Sequence, residues 1–333
     1  MKRVIVCMLL LCVLCSCADA AVVDGQVRLG ILTFKTKAEG ISEAQAAAIG
    51  DIFTRMLTGS KTITVVEREQ IAAVDDEQKM SMEGLITDDT ASRLGKRIGC
   101  NYMLIGAVTG YEQSSKETDL WLVRQVKYYA TVTIDARIIN VDTTKVVLSL
   151  SETGTTTHKG EEVNLPHIGI NSKEGLREKM ILQGIAGGAI NEAISHLAFK
   201  LRENLTGEYI EVVKLGSPEI SIGLGERNGA LNGGFYRVYA QGREIYDAEG
   251  KSLGHEIHDL AVVKITNVQD EFSNAVLAAK SAGNLALIRK GDKVSPVTQD
   301  EMQTMIKNKV FIKSRPKSSP QNSEREKLRR RSK

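Results

Sequence analysis

Past residue 17 the 333-residue sequence holds one cysteine, Cys100. A single thiol cannot close an internal disulfide, so no disulfide framework holds this fold. Cys100 stands in the apolar run RIGCNYMLIG, the setting of a small buried hydrophobe and not of a reactive thiolate. Histidine is equally scarce, with five in the chain. His255 and His258 are the nearest pair, but on a strand residues three apart point to opposite faces and cannot meet at one ion. In a loop they would still need a third ligand, and none stands nearby. His158 and His167 fall in a polar loop and His196 on a helical pattern. The sequence lacks a Gly-x-Ser-x-Gly elbow, a Cys/His pairing and a phosphate-binding loop. Gly223, Gly225 and Gly229 imitate a dinucleotide fingerprint, yet ALNGGFYRVY follows where that fingerprint requires a helix. The expectation is a non-enzymatic protein with no catalytic residue, no cofactor and no metal. Trp121 is the single tryptophan and adjoins Tyr128 and Tyr129. It reads as strand core or as an aromatic anchor at an interface.

Long apolar runs are also missing after the first residues. Lys2 and Arg3 precede an eleven-residue apolar stretch, 4–14, which suits an export signal better than a membrane span. Residues 1–20 are read as a signal peptide with two alternative ends. Leu14-Cys15-Ser16-Cys17 resembles a bacterial lipobox, with Cys17 as the lipidated first mature residue and Cys15 an unusual middle occupant. Ala18-Asp19-Ala20 fits cleavage before Ala21. Both readings export the chain, so nucleic acid is not an expected partner.

The net charge of +3 conceals an asymmetry. Residues 313–333 hold nine Lys/Arg against two Glu and carry +7, and Lys2 and Arg3 add +2, so the remainder is acidic at −6. Residues 301–333 are expected to form a basic disordered tail, because Pro, Ser and charge cannot bury a core. Such a tail is either plainly solvated or in contact with an anionic envelope polymer or lipid headgroups.

Between these ends the patterning predicts two domains. Residues 27–34 (VRLGILTF) read as a buried strand, and 43–57 as a helix with Ser42 as N-cap. A β-branched strand follows at 62–66, then helices at 69–80 and 88–98, the latter capped by Asp88 or Thr87. Residues 102–108 read as a strand, and 126–140 with 145–155 as a hairpin turning at 141–144. A long helix spans 176–205, its Gly184, Gly187 and Gly188 marking close packing or a late start. From 207 to 300 short β-like runs alternate with Gly, Asn and Asp turns, as in a small all-β barrel.

Glu67-Arg68-Glu69 closes a strand and opens a helix. Carboxylates there suit the helix dipole, by about 0.3–1 kcal/mol each when exposed; acid–base catalysis would need an apolar cleft to separate their pKa values. The VVEREQ junction, the EQKMSMEGL stretch, the DDTASRLGKRIG helix and the strand NYMLIGAVT together resemble the CsgG family, named for the curli secretion component. ARIINVDTTKVVLSLSETG, with Arg137 and Asp142 in the usual places, and GIAGGAINEAISHLAFKL extend the likeness over about 28–206. The resemblance implies an α+β domain, a CsgG-like mixed sheet with flanking helices, over 21–206, with Glu67, Arg68, Glu69, Gly95 and Gly99 as structural motif residues. It implies an envelope lipoprotein at the periplasmic face of the outer membrane, held by its N-terminal lipid, that assembles as a homo-oligomer with other envelope proteins in curli-type assembly or transport. ISIGLGERNGALNGGFYRVYA and RKGDKV resemble the C-terminal barrel of flagellar assembly protein T. The segments matching the curli channel's membrane hairpins, 110–128 and 152–178, are broken by Glu112, Lys116, Glu117, Asp119, Lys159, Glu161, Glu162 and Pro166. A membrane strand needs an apolar outward face, so the patterning argues against a pore. The alternative function is a lipoprotein regulator of a peptidoglycan synthase, which shares this core fold.

Overall fold

The computed structural model describes residues 26–66, 87–120, 123–163, 171–216 and 218–315. Cys17, both cleavage readings, Glu67, Arg68, Glu69, the expected 69–80 helix, Trp121 and His167 lie outside them.

The first domain is a mixed sheet between helices. Strand β1 (Val27–Ile31) lies in parallel between β3 (Ile63–Val66) and β4 (Tyr102–Leu120), and the two-residue β2 (Lys35–Thr36) adds to β4 further along. Antiparallel pairing then links β4 to β5 (Val123–Asn140) and β5 to β6 (Lys145–Val163), in the order β3-β1-β4-β5-β6. Helices α1 (Glu43–Thr58) and α3 (Asn171–Thr206) share a core with one sheet face. The reason is the period of two along β5: Val126, Tyr128, Ala130, Val132, Ile134 and Ile138 all point into that core. From α1 come Ala46, Ile49, Phe53 and Leu57, at spacings of three and four. Each large side chain so buried contributes roughly 1.5–3 kcal/mol. Ser42 caps α1 in a capping box with Gln45, satisfying two end groups the helix cannot satisfy itself.

Helix α2 (Asp88–Ile98) packs on the opposite face with Leu32, Val66, Met103, Ile139 and Val141. Thr87, not Asp88, is its N-cap. Cys100 is buried beside it, and burial raises its thiol to about 11 against the opposing pull of Arg28. We predict that Cys100 reacts with a disulfide reagent at least tenfold more slowly in the native protein than in denaturant, since the thiolate is the nucleophile. Equal rates would contradict the buried placement.

The second domain is a closed barrel. Its strands are β7 (Ile210–Lys214), β8 (Glu219–Ile222), β9 (Phe235–Tyr246), β10 (Ser252–Val268), β11 (Ser273–Leu277) and β12 (Lys293–Val297), closed in the order β10-β11-β8-β7-β12-β9. Its inside is filled by Val212, Ile222, Tyr236, Val238, Val263 and Ala275 with their neighbours. The glycine-rich stretch after β8 is a turn with one short 3-10 segment, Glu226–Asn228.

Two expectations are corrected. Residue 301 does not begin a disordered tail. Helix α4 (Gln299–Lys307) is capped by Thr298 and Glu301, and Met302, Met305 and Phe311 pack against Val262 and Val297, so folded chain continues well past that point. Residues 316–333 lie outside the described residues. Strand β4 does not stop at 108 either. It runs on to Leu120, paired with β5 as far as Val123 after a register shift between Val108 and Gly110.

Candidate functional site

Polar groups or close backbone contacts gather in three places: the uncovered sheet face, the seam under α3 and the motif glycines.

On the sheet face that α2 leaves open, β4 offers Ile105, Gly106, Ala107 and Thr109 to the floor of a groove of about 260 Å³. Thr33, Lys35 and Lys37 form one wall, with Asp135, Arg137 and Ser149 on the other. Lys35 opens β2 and Lys37 directly follows it, and both line the groove. Among the described residues neither is in an ion pair. On the opposite wall Arg137 lies 3.0 Å from Asp88, and Ser151 donates to Asp135 at 2.5 Å. Beyond the groove the same face is hydroxyl-rich, with Thr133 and Thr153 hydrogen-bonded across strands at 3.0 Å. Two ammonium groups among hydroxyls can hold an anionic or hydroxylated surface. They do not form a nucleophile with its base.

Helix α3 is the seam between the domains: Leu197 and Leu201 belong to the sheet core and Phe199 to the barrel core. Ser195 donates to the Gly229 carbonyl at 2.8 Å, and buried Arg202 donates to the Asn228 carbonyl at 2.9 Å. Glu208 accepts from Ser60 at 2.8 Å and from Thr62 at 3.0 Å. Glu152 on β6 accepts a hydrogen bond from Lys200, and His196 Nδ1 lies 3.9 Å from its other oxygen. His196 is 5 % exposed. Desolvation lowers its pKa to about 4, with Glu301 pulling the other way. Glu192, one turn earlier, is raised by the same burial although Thr155 donates to it. Tyr236 is pushed up to about 12 by burial. These shifts have one leading cause, removal from water. His196 and Tyr236 are buried in packed protein. Among the described residues no three His, Cys, Asp or Glu side chains are placed to hold a metal. His255 and His258 lie in β10 on either side of a bulge at Glu256, not in a loop.

Of the motif residues, Gly95 and Gly99 have physical roles in the fold. A Cβ on Gly95 would sit 2.5 Å from Val141 and 2.9 Å from Met103, so glycine lets α2 lie close on the sheet. Gly99 is the left-handed C-cap of α2, at φ 70. Near them Ser92 donates to the Val141 carbonyl at 2.5 Å, and the turn is held by Asn140, which accepts from the amides of Asp142 and Thr143. Of the three α3 glycines singled out in the sequence, Gly188 faces Thr156 closely, while Gly184 and Gly187 meet open space. The tightest approach to backbone is at Gly154, the last residue of the ARIINVDTTKVVLSLSETG stretch. Lys35 and Lys37 are legible along the chain as FKTK. The Glu152–Lys200–His196 cluster is not, since Glu152 lies 48 residues from Lys200 along the chain.

No curated protein matches the chain. Solved structures give partial likenesses. The LpoB C-terminal domain from Escherichia coli matches at 16 % identity and TM-score 0.29, over 41 % of this chain and 86 % of that one. Lipoprotein GNA1162 from Neisseria meningitidis matches at 12 % and 0.28, over 48 % and 98 %. The PelC dodecamer from Paraburkholderia phytofirmans matches at 12 % and 0.24, over 49 % and 82 %. Scores this low carry no argument about assembly or partner. The model of the family described as curli production assembly/transport component CsgG matches residues 17–213, more than half of the chain, and the protein therefore belongs to the CsgG family.

Proposed function

We propose that the protein is a non-enzymatic component of envelope assembly or export, lipid-anchored at Cys17 on the periplasmic face of the outer membrane. Its α+β domain assembles head to tail into a ring, and its barrel serves as a docking module for other envelope proteins. The observation that carries this reading is a pair of open strand edges. β1 and β2 pair with β4 only as far as Val108. Beyond that, among the described residues, no strand pairs with the outer edge of β4, and none pairs with the outer edge of β6 over Lys145–Val163, where Glu192 of α3 accepts from the Thr155 amide. Long open edges invite pairing with another chain. Joining the β4 edge of one copy to the β6 edge of the next is a heterologous contact, which closes into a ring if the rotation allows.

A membrane-spanning barrel is not part of this reading. The ribbon face away from α3 carries Glu112, Ser114 and Lys116 on β4, Lys127, Tyr129 and Thr131 on β5, and Thr155, Thr157 and Lys159 on β6. Lipid requires an apolar outward face on each strand. The test is oxidative cross-linking of a Ser114→Cys/Thr157→Cys variant, together with mass measurement and planar-bilayer recording of the detergent-extracted protein. The expected outcome is a ladder of covalent multimers, an oligomeric mass and no conductance. A monomeric mass without a ladder would overturn the ring, and steady single-channel steps would restore a pore.

A further inference from the structure

We infer that the barrel end farthest from the α+β domain is a peripheral binding face for an anionic lipid bilayer. This rests on the placement of two features and not on the ring. β7 leaves α3 at the near end, and the 3-10 turn after β8 packs there against Ser195 and Arg202. The strands alternate in direction. The β7–β8 turn, the β9–β10 hairpin and the start of β12 therefore share the far end.

The first feature is a protruding ribbon. β12 pairs with β9 only up to Tyr239, and the chain after α4 reaches β10 at Asp259, where the amide of Ile312 donates to its carbonyl. Beyond these points β9 and β10 pair only with each other among the described residues, over about seven residues each, or about 20 Å. Leu253 is 65 % exposed, Tyr246 55 %, Ile257 50 % and Ile245 46 %. Val213 and Leu215, at the end of β7, are exposed at the same end. Among the described residues, four of the eleven exposed large hydrophobic residues lie on this ribbon. Single exposed apolar residues need no explanation, but such a gathering on an open-edged ribbon does.

The second feature is where the tail leaves. Arg315 binds the Leu287 carbonyl and Asp292, just before β12, so residues 316–333 depart from this same end. They hold seven Lys/Arg and two Glu, and 325–333 alone hold six Lys/Arg. The acids of the ribbon offset them only in part: residues 240–258 hold Glu244, Asp247, Glu249 and Glu256 against Arg243 and Lys251, a net −2 against the +5 of residues 316–333. Glu244 accepts from Tyr246 at 2.7 Å, and Asp247 from the amides of Glu249 and Lys251 at 3.1 and 2.7 Å. Glu256 lies 3.8 Å from Arg243 and 3.7 Å from His258. A basic segment with little apolar content beyond Leu328 cannot itself cover Leu253 and Ile257. Apolar side chains that enter the headgroup layer and a polybasic segment that neutralises it are the two signals a peripheral membrane site combines.

The experiment uses the full chain with Cys17→Ala, so that no acyl anchor contributes. Co-sedimentation with vesicles of phosphatidylethanolamine and phosphatidylglycerol is compared with phosphatidylcholine alone. Binding to the anionic vesicles is expected to be at least tenfold stronger and to weaken with salt. R329Q/R330Q/R331Q should lower it about tenfold. L253E/I257E should lower it comparably with an unchanged melting curve, because both residues are exposed. A Tyr246→Trp variant should show a blue-shifted emission increment, above the Trp121 background, on adding anionic vesicles. Equal binding to both lipids, no shift at position 246, or vesicle binding untouched by L253E/I257E would overturn the proposal. So would dimerisation in solution abolished by L253E/I257E without vesicle binding, which assigns the face to a second copy. Binding confined to isolated peptidoglycan would assign the tail to an anionic polymer and overturn it as well.

Discussion

Gly154→Val is expected to cost about 3 kcal/mol or more of stability. A Cβ at this position would lie 2.0 Å from the Ala189 carbonyl oxygen and 2.5 Å from the Ala193 amide nitrogen. Both are backbone atoms of α3, so no rotamer relieves the overlap and the helix must lift from β6. Lifting α3 uncovers Ile185, Ala189 and Ala193 on the sheet side, and it strains the seam that Ser195, Phe199 and Arg202 make with the barrel. The comparison is Gly184→Ala, in the same helix, where nothing lies within 4 Å. Removing a glycine from a helix interior there should raise stability by about 0.5–1 kcal/mol. Urea unfolding of both variants measures the contrast. A Gly154→Val protein as stable as the wild type would show that α3 does not sit on β6.

Lowering the pH from 7 to 5 should cost the wild type about 2 kcal/mol more than His196→Gln. The folded pKa of His196 is depressed to about 4 by burial, below the unfolded value near 6.5. A depressed folded pKa gives stability that is fully present above the unfolded value. As the pH falls below about 6.5 the unfolded chain takes up a proton that the native site refuses, and the loss continues until the pH passes the folded pKa. Glu152 faces His196 from β6, Lys200 and Glu192 from α3, and Glu301 from α4. Because Glu152 is engaged by Lys200, it gives the imidazole little reason to ionise. Glu192, Glu203 and Asp259 act in the opposite sense: burial raises each one, so they recover stability as they protonate. They are common to both proteins, and the difference between the two pH profiles isolates His196. Parallel profiles from pH 7 to 5 would mean that its imidazole protonates freely in the native state.

Several elements were legible along the chain because their periodicity and caps are local. Ser42 and Gln45 mark the start of α1, the Ala46–Ile49–Phe53 spacing marks its buried face, and the alternation ATVTIDARI marks β5. The family was legible for the same reason, because the motif from β3 to the β5–β6 turn is continuous in sequence. Turn chemistry after residue 207 was dense enough to call for a small β domain. Helix α4 was not legible, although Thr298 and Glu301 form a capping box, because the surrounding charge reads as solvated tail. Packing between distant segments settled what remained. The 109–120 part of β4 is rich in charge, and it becomes strand because β5 satisfies its backbone. Lys200 and Glu152 meet across a strand and a helix, and Gly154 is indispensable only because α3 crosses it. Spacing reports what one element can bury; which groups end up together depends on how separate elements pack, and that is set by non-local contacts no single stretch of the chain contains.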